Sequence, residues 1–388
     1  MRLSLSDGEL RIRDETRAFL AEHLPAPDEI PAGFDERVAF LREWQRKLYE
    51  AGLVNLTWPA EYGGRGATLL EQIVVNQELA RAGAPPLIGE VGLEVVGPTL
   101  VAEGTPEQKA RYLKRILSGE DIWCQGFSEP DAGSDLASLR TRAEDHGDHF
   151  VIHGQKTWTS WAQYASFCAV LARTDLEAPP HRGISYLIVD MSSPGIEVRP
   201  LVQMTGDAEF SEVYFDGVKV PRENVLGELN TGWRLAMHTL TNERGPVVLS
   251  HQVKLRVALD SLAADAVRYL REGTPAIEDP RVLASLVRAH VGVEVLRYHA
   301  YRSTGAAIAH GGAGPETSVD KLQMTVADQL VGDACLDVLG PSAVSPDTSS
   351  HAWQHMYLHT RASSIYGGTS QIQESIIAER ILGLPRSR

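Results

Sequence analysis

The 388-residue chain is poor in several things, and each shortage removes a class of function. It has three cysteines, Cys124, Cys168 and Cys335, too few and too far apart for a disulfide framework or a cysteine-based metal site. A reduced, cytoplasmic setting is the expectation. Basic residues are in deficit, 37 Lys and Arg against 51 Asp and Glu, for a net charge of −14. No positive surplus remains to neutralise phosphates, so a nucleic-acid partner is not expected. Nowhere do about 18 apolar residues run together, so no membrane span is expected. Arg2, Asp7, Glu9, Arg11, Arg13, Asp14 and Glu15 interrupt any apolar signal segment near the start.

Chemical motifs are also scarce. Gly64-Arg65-Gly66 and Gly312-Ala313-Gly314 each lack the third glycine of a dinucleotide fingerprint, and neither lies between a strand and a helix. A nucleotide cofactor must therefore bind without a Rossmann unit. There is no phosphate loop ending in Lys-Ser/Thr, no helical histidine pair spaced for zinc and no nucleophile elbow. The 13 histidines are scattered and read as structural or solvated, and no metal site is expected.

What is present is an ordinary globular composition, 43% hydrophobic and 23% charged, which excludes disorder, collagen and coiled coil. At about 150 residues per domain the length suggests two or three domains. Three textures follow one another. Apolar positions recur at helical spacing through residues 1–121, as in Phe19, Leu20 and Leu24, or Leu41, Trp44 and Leu48. Residues 122–230 hold short β-branched and aromatic runs, such as Ser185-Tyr186-Leu187-Ile188-Val189, punctuated by turn formers; an antiparallel β-domain is the simplest reading. Over 231–388 the helical period returns. Leu283, Leu286, Val287, Val291 and Val295 form an apolar stripe expected to face other helices. Loops at Gly273-Thr274-Pro275 and around Gly312 separate helices long enough for a bundle. The last helix opens with capping-box spacing at Ser370 and Gln373 and closes at Gly383 and Pro385.

Three segments carry more than packing demands: Gln125-Gly126-Phe127-Ser128-Glu129-Pro130-Asp131-Ala132-Gly133-Ser134-Asp135, Gly154-Gln155-Lys156-Thr157-Trp158-Thr159-Ser160, and Ile365-Tyr366-Gly367-Gly368-Thr369-Ser370-Gln371-Ile372-Gln373. Backbone and hydroxyl donors in such turns suit a phosphate or a ring carbonyl. Taken singly, each also reads as a polar turn, a packed tryptophan or a good helix cap.

Together, and with Trp58-Pro59, Tyr62-Gly63-Gly64 and the ending Ile377-Ala378-Glu379-Arg380-Ile381-Leu382-Gly383-Leu384-Pro385, these segments resemble the acyl-CoA dehydrogenase family over essentially the whole chain. The resemblance implies an α+β fold: an N-terminal helical domain, a central antiparallel β-barrel-like domain and a C-terminal four-helix bundle. It implies FAD lying extended between β-domain and bundle, with part of its site supplied by a neighbouring subunit of a homotetramer or of a hetero-oligomer with a related chain. Carried over by position, Gln125, Phe127, Ser128, Gly133, Ser134, Trp158 and Ser160 surround the flavin ring or the ribityl-diphosphate, and Leu339, Gly340, Thr369 and Gln371 complete the contacts.

Departures from the family pattern matter too. Where many members carry Glu-Arg and then Phe-Gly, with the arginine reaching a neighbour's FAD, this chain has Arg268-Tyr269-Leu270-Arg271-Glu272-Gly273-Thr274, so Arg271 or Arg268 takes that place. A Phe-Gly-Gly motif becomes Leu339-Gly340-Pro341. The commonest catalytic pattern, Tyr-Glu-Gly-Thr, is here Tyr366-Gly367-Gly368-Thr369, with no carboxylate. A subset that includes isovaleryl- and long-chain-type enzymes carries its base on a bundle helix just before an arginine. Thr241-Asn242-Glu243-Arg244 resembles that site, which makes Glu243 the base and Arg244 a substrate-binding partner; the plain alternative is a solvated surface pair.

The implied reaction is α,β-dehydrogenation of an acyl-CoA thioester to the trans-2-enoyl-CoA. The substrate carbonyl is held by a flavin ribityl hydroxyl and a backbone N–H near Gly367, the β-hydride goes to flavin N5, and an electron-transfer flavoprotein reoxidises the flavin. The acyl group, branched, long or ring-bearing, stays open, as does CoA against acyl-carrier protein. Rival readings are a flavin-fold monooxygenase, a nucleic-acid-binding relative disfavoured by the charge, and a non-catalytic partner subunit.

Overall fold

Alternating apolar residues between Trp123 and Leu226 build one eight-stranded sheet, seen in a computed structural model that describes residues 4–242, 247–345 and 351–386. Its strands are β1 (Trp123–Gly126), β2 (Arg142–Asp145), β3 (His149–Ser160), β4 (Phe167–Arg173), β5 (Ile184–Asp190), β6 (Ile196–Leu201), β7 (Phe210–Pro221) and β8 (Val225–Leu226). They run in the order β6-β7-β3-β2-β4-β5-β8, with β1 beside β4. Cys124, Phe150, Ile152, Val170, Leu187, Val189, Val213 and Phe215 form the core of this sheet.

The sheet corrects the wholly antiparallel expectation. β1 pairs parallel with β4, and β2 meets β4 through one parallel bridge. The cause is visible in the side chains. From Cys168 to Ala172 every residue of β4 is buried, the continuous apolar pattern of a strand covered on both faces rather than the alternation of a half-solvated one.

Residues 21–72 and 85–242 form one compact unit with this sheet. Helix α2 (Phe34–Glu50) buries Val38, Leu41, Trp44 and Leu48, as its spacing predicts. Helix α5 (Pro106–Ser118) begins in a capping box, in which Thr105 accepts from the Gln108 N–H and Gln108 accepts from the Thr105 N–H, and ends at Gly119 with φ +75°. Helix α4 (Gly97–Glu103) and helix α6 (Gly232–Asn242) share the buried Thr99–Thr239 hydroxyl pair, 2.7 Å apart.

The second unit does not follow chain order. Residues 4–20 and 73–84, from α1 (Asp7–His23) and α3 (Leu69–Arg81), group with residues 247–386. Arg17 and Glu78 join these two helices at 2.7 Å. Helix α9 (Thr317–Leu339) packs against α7 (Val247–Arg268), α8 (Pro280–His310) and α10 (His351–Thr360).

Three expectations shift in this unit. Of the α8 stripe only Leu286 faces the helices of its own chain. Val282, Ala289, Val293, Leu296 and Ala300 do so with it, while Leu283, Val287, Val291 and Val295 stand exposed at 49%, 54%, 53% and 38%. The helix is apolar on two faces, and periodicity alone does not say which one its own chain covers. The loop at Gly273 belongs to a small hairpin of β9 (Leu270–Arg271) and β10 (Thr274–Pro275), turned by Glu272 and Gly273 at φ +51° and +84°. Helix α11 (Ser370–Ile376) is capped one residue earlier than expected: Thr369 Oγ1 accepts from the Ile372 N–H at 3.2 Å, and Gln373 turns back to the preceding loop.

Candidate functional site

In the sheet-bearing unit the structure brings two of the three motif segments together. The Thr157 N–H donates to the Ser128 carbonyl at 3.0 Å. Below that bond the Lys156 ammonium donates to the Phe127 carbonyl at 3.0 Å and to Glu129 Oε1 at 2.8 Å. Glu129 also accepts the Arg140 N–H at 2.6 Å and the Thr141 N–H at 2.9 Å. Lys156 is fully buried and Glu129 nearly so. Burial pulls the lysine below its ordinary range against the pull of Glu129. Burial also pushes the Glu129 carboxyl up, but the ammonium and the hydrogen bonds outweigh it and hold the group below the usual carboxylate range.

This latch sets the residues around it. The Phe127 ring stands edge-on to Tyr186, with centroids 5.6 Å apart. Gln125 on β1 and Ser128 just beyond it are half-buried. A tight turn, in which Glu129 and Ala132 exchange backbone hydrogen bonds, presents Gly133 and Ser134 to solvent, and a Cβ at Gly133 would meet nothing within 4 Å. The β3–β7 register slips between Lys156 and Thr159, and Trp158 lies in that irregularity at φ +57°. The slip swings the indole outward, 61% exposed, with Phe210 edge-on at 6.1 Å. Ser160, opposite Phe210 in the register, is half-buried.

The remaining candidates lie in the helical unit. Leu339 is buried at the end of α9, and Gly340 ends that helix at φ +56°. Arg271 lies against that end: its Nη2 donates to the Asp337 carbonyl and its Nη1 lies 3.4 Å from Asp279. A Cβ at Gly340 would crowd Arg271 Nη2 at 2.9 Å, and φ +56° itself favours glycine there. Arg271 is thus engaged within its own chain, with Nε buried and unpartnered among the described residues. Arg268 is 80% exposed, 3.9 Å from Asp265. Thr369 caps α11, and Gln371 is exposed one turn on. Gly367 and Gly368 precede the cap at φ +62° and +89°. Glu243 and Arg244 lie outside the described residues.

Sequence reasoning missed Glu129, Lys156, Lys321 and Gln373 as site residues. Neither lysine carried a local signal, since Lys156 sits between Gln155 and Thr157 and Lys321 beside Asp320.

The residues present fit a flavin. An exposed indole offers a ring a flat apolar face, and the open Gly133–Ser134 turn offers polar atoms without steric cover. The unpartnered Arg271 Nε is a donor of the kind that suits an anion.

Comparison with known proteins shows the family. The acyl-CoA dehydrogenase N-terminal, middle and C-terminal domain families match residues 6–120, 124–218 and 230–382. The chain is 42% identical to acyl-CoA dehydrogenase IpdE1 of Mycobacterium tuberculosis over 386 residues, 96% of this chain and 97% of that one. It is 40% identical to acyl-CoA dehydrogenase FadE34 of the same organism over 97% of this chain and 51% of that one. Among solved structures, the Tcur3481-Tcur3483 steroid ACAD matches with a TM-score of 0.86 at 31% identity, over 100% of both chains. The ChsE4-ChsE5 complex from Mycobacterium tuberculosis matches at 0.84 and 32%, again over 100% of both. With all three domain families present in chain order on the same fold, this chain belongs to the acyl-CoA dehydrogenases, a family of flavin-dependent oxidoreductases.

Proposed function

We propose that this protein carries out FAD-dependent α,β-dehydrogenation of an acyl-CoA thioester, with Glu243 as the base that removes the α-proton. The observation that carries this reading is the turn Tyr366-Gly367-Gly368-Thr369, which holds no carboxylate where the commoner pattern has one and whose Gly367 sits at φ +62°, a conformation that favours glycine. A thioester α-proton is weakly acidic, so a base must come from elsewhere in the chain, and the Glu243-Arg244 pair supplies the sequence match.

In this reading Phe127, Ser128, Gly133, Ser134, Trp158, Ser160, Thr369 and Gln371 would hold FAD, which would supply an oxidised ring as hydride acceptor. Trp158 would offer that ring an apolar face, and the Lys156–Glu129 latch keeps Trp158 in place. Backbone N–H groups of the Gly367–Gly368 turn receive the thioester oxygen as negative charge grows on it. Arg244 binds substrate. The product is the trans-2-enoyl-CoA, and an electron-transfer flavoprotein takes the electrons.

The acyl group is ring-bearing in our reading. A turn without a side chain at residue 367 leaves room for bulk, and a matching structure is titled a steroid ACAD. The exposed Leu283, Val287, Val291 and Val295 face supports a subunit seated on α8. Two neighbours are titled as pairs of chains, which favours a hetero-oligomer with a related chain over a homotetramer. No helix among the described residues is long and apolar enough to cross a membrane, which fits the proposed cytoplasmic setting.

Anaerobic bleaching of the flavin across a panel of acyl-CoAs tests the reading. Wild type bleaches with its substrate, and Glu243→Gln, equal in size and polarity, loses on the order of 10²-fold or more while keeping FAD. Near-normal bleaching by Glu243→Gln places the base elsewhere. Should the chain bleach only with a co-expressed related chain, Glu243→Gln in that complex decides: lost bleaching keeps the base in this chain, and retained bleaching identifies this chain as the non-catalytic partner.

A further inference from the structure

The turn proposed to bind the thioester oxygen is built from the two residues least able to order themselves. Gly367 and Gly368 both have positive φ, and glycine loses more backbone freedom on folding than any other residue. Two buried side chains from outside the turn hold it. Gln373, fully buried on α11, donates from Nε2 to the Gly367 carbonyl at 3.1 Å and to the Gly368 carbonyl at 3.3 Å. A Cβ at Gly368 would meet that nitrogen at 2.5 Å and displace it, and φ +89° itself favours glycine. In a trans peptide the N–H points opposite the carbonyl. Fixing both carbonyls on Gln373 therefore aims the N–H groups of Gly368 and Thr369 away from it.

The entry to the turn is held from α9. Lys321 is only 5% exposed. Its ammonium donates to the Ser363 carbonyl and to Thr325 Oγ1 at 3.1 Å, and it lies 4.9 Å from the centre of the Tyr366 ring. Thr325 reinforces the arrangement by donating to the same Ser363 carbonyl at 2.9 Å. Burying an ammonium costs several kcal/mol before its partners repay it. Packing alone would be served better by a methionine or leucine. What a lysine adds is direction and positive potential, next to the turn where an oxyanion would form.

We infer that Lys321 and Gln373 are positioning residues that hold the Tyr366-Gly367-Gly368 turn, and so its N–H groups, in register with the thioester oxygen; the inference rests on the dehydrogenase reading above. Neither residue touches substrate in this account. Lys321 acts through the Ser363 carbonyl and the Tyr366 ring, and Gln373 through the two glycine carbonyls.

The test uses the FAD-loaded full chain, in the oligomer it forms, as wild type, Lys321→Met and Gln373→Leu. Hydrogen–deuterium exchange over residues 365–369 reads the turn directly and needs no turnover. Both variants are expected to exchange at least about 10-fold faster there, with FAD content unchanged. A 3-keto-acyl-CoA that binds without being oxidised reads oxygen binding. Its enol pKa in the complex, followed by absorbance, is expected to rise by about one unit in each variant, because less charge is stabilised on the oxygen. With substrate, the bleaching rate constant falls roughly 10- to 100-fold while the half-saturating concentration moves less than about threefold, a loss confined to the transition state.

Wild-type exchange in both variants overturns the inference, as does faster exchange with an unchanged enol pKa. Should Lys321→Met fail to accumulate folded, Gln373→Leu reads the same turn from its other side. Should wild type itself neither bleach nor acidify any thioester, the dehydrogenase reading falls, and the exchange result still decides whether these two side chains hold the turn.

Discussion

The two motif regions solve opposite problems. The Phe127–Ser134 and Lys156–Ser160 region rests on a sheet and is pinned by a buried ion pair, so the side chains it presents are fixed by their surroundings. The Tyr366–Thr369 turn has no sheet beneath it and two glycines in its middle, and its geometry is borrowed from Lys321 and Gln373. The first region suits the holding of a large rigid group. The second offers backbone N–H groups and carries no side chain at residues 367 and 368. The contrast teaches that a side chain missing from a site, here a carboxylate at residue 367, need not remove the site's backbone function, provided other residues hold that backbone.

The largest effect that would break the contrast is chemical. Glu243→Gln should cost on the order of 10²-fold or more in flavin reduction with FAD retained, whereas a base inside the turn region would leave that variant active.

Next comes the latch. Lys156→Met leaves Glu129 buried without its ammonium and should destabilise the protein by about 3–5 kcal/mol. Thermal melting checks this, and the double variant Lys156→Met/Glu129→Gln, uncharged but with an amide oxygen that still accepts the backbone N–H groups, should recover part of the loss. The latch also carries a pH signature. Because the Glu129 carboxyl is held below its unfolded value, its contribution is present above the unfolded carboxyl range and is lost as the pH falls through the folded value. A melting series from neutral to acid should therefore flatten in the double variant. An unchanged acid slope would show that Glu129 contributes nothing there.

Trp158→Ala sharpens the comparison from the other side. An indole 61% exposed supports little of the apoprotein core, so the apoprotein should melt within about 0.5 kcal/mol of wild type while FAD binds more weakly. Fluorescence titration with FAD decides it. A loss near the 3–5 kcal/mol of a core tryptophan, with normal FAD affinity, would make Trp158 structural.

The smallest effect belongs to the turn. Gly367→Ala places a Cβ at φ +62° and should cost about 1–2 kcal/mol in stability. Gly367→Glu in the Glu243→Gln background carries the same strain while restoring a carboxylate at the commoner position. Partial recovery of bleaching would show that the two base positions are interchangeable, and none would show that substrate already fills that space.

Several features were legible before any coordinates because they are local. The change from helical spacing to short β-branched and aromatic runs marks the sheet region, seen between Trp123 and Leu226, and the order of the motif segments points to the family. The misreadings were of another kind. The α11 cap lies at Thr369 rather than Ser370, because Gln373, whose spacing from Ser370 suggested a capping box, turns instead to the Gly367 and Gly368 carbonyls, and the backbone path puts the Thr369 hydroxyl on the Ile372 N–H. Gly273 looked like a plain loop because a two-residue hairpin has no pattern long enough to register. The α8 stripe was expected to face other helices, yet Leu283, Val287, Val291 and Val295 are exposed in this chain and only Leu286 is buried, because amphipathicity marks a face to be covered and not what covers it.

Sequence by itself thus determined the class of each segment, the absence of a carboxylate at residue 367 and the presence of Glu243-Arg244, all properties of residue type and spacing. Tertiary structure decided the parallel partner of β1, the outward turn of Trp158, and the pairings Lys156 to Glu129, Lys321 to Ser363 and Gln373 to the two glycine carbonyls. The strand pairing and the two lysine contacts join residues 27 to 44 positions apart. Long-range contacts of that kind are selected by the free energy of the whole fold, with the burial of a charge or a carbonyl repaid only where a partner arrives, and no local pattern records which partner that will be.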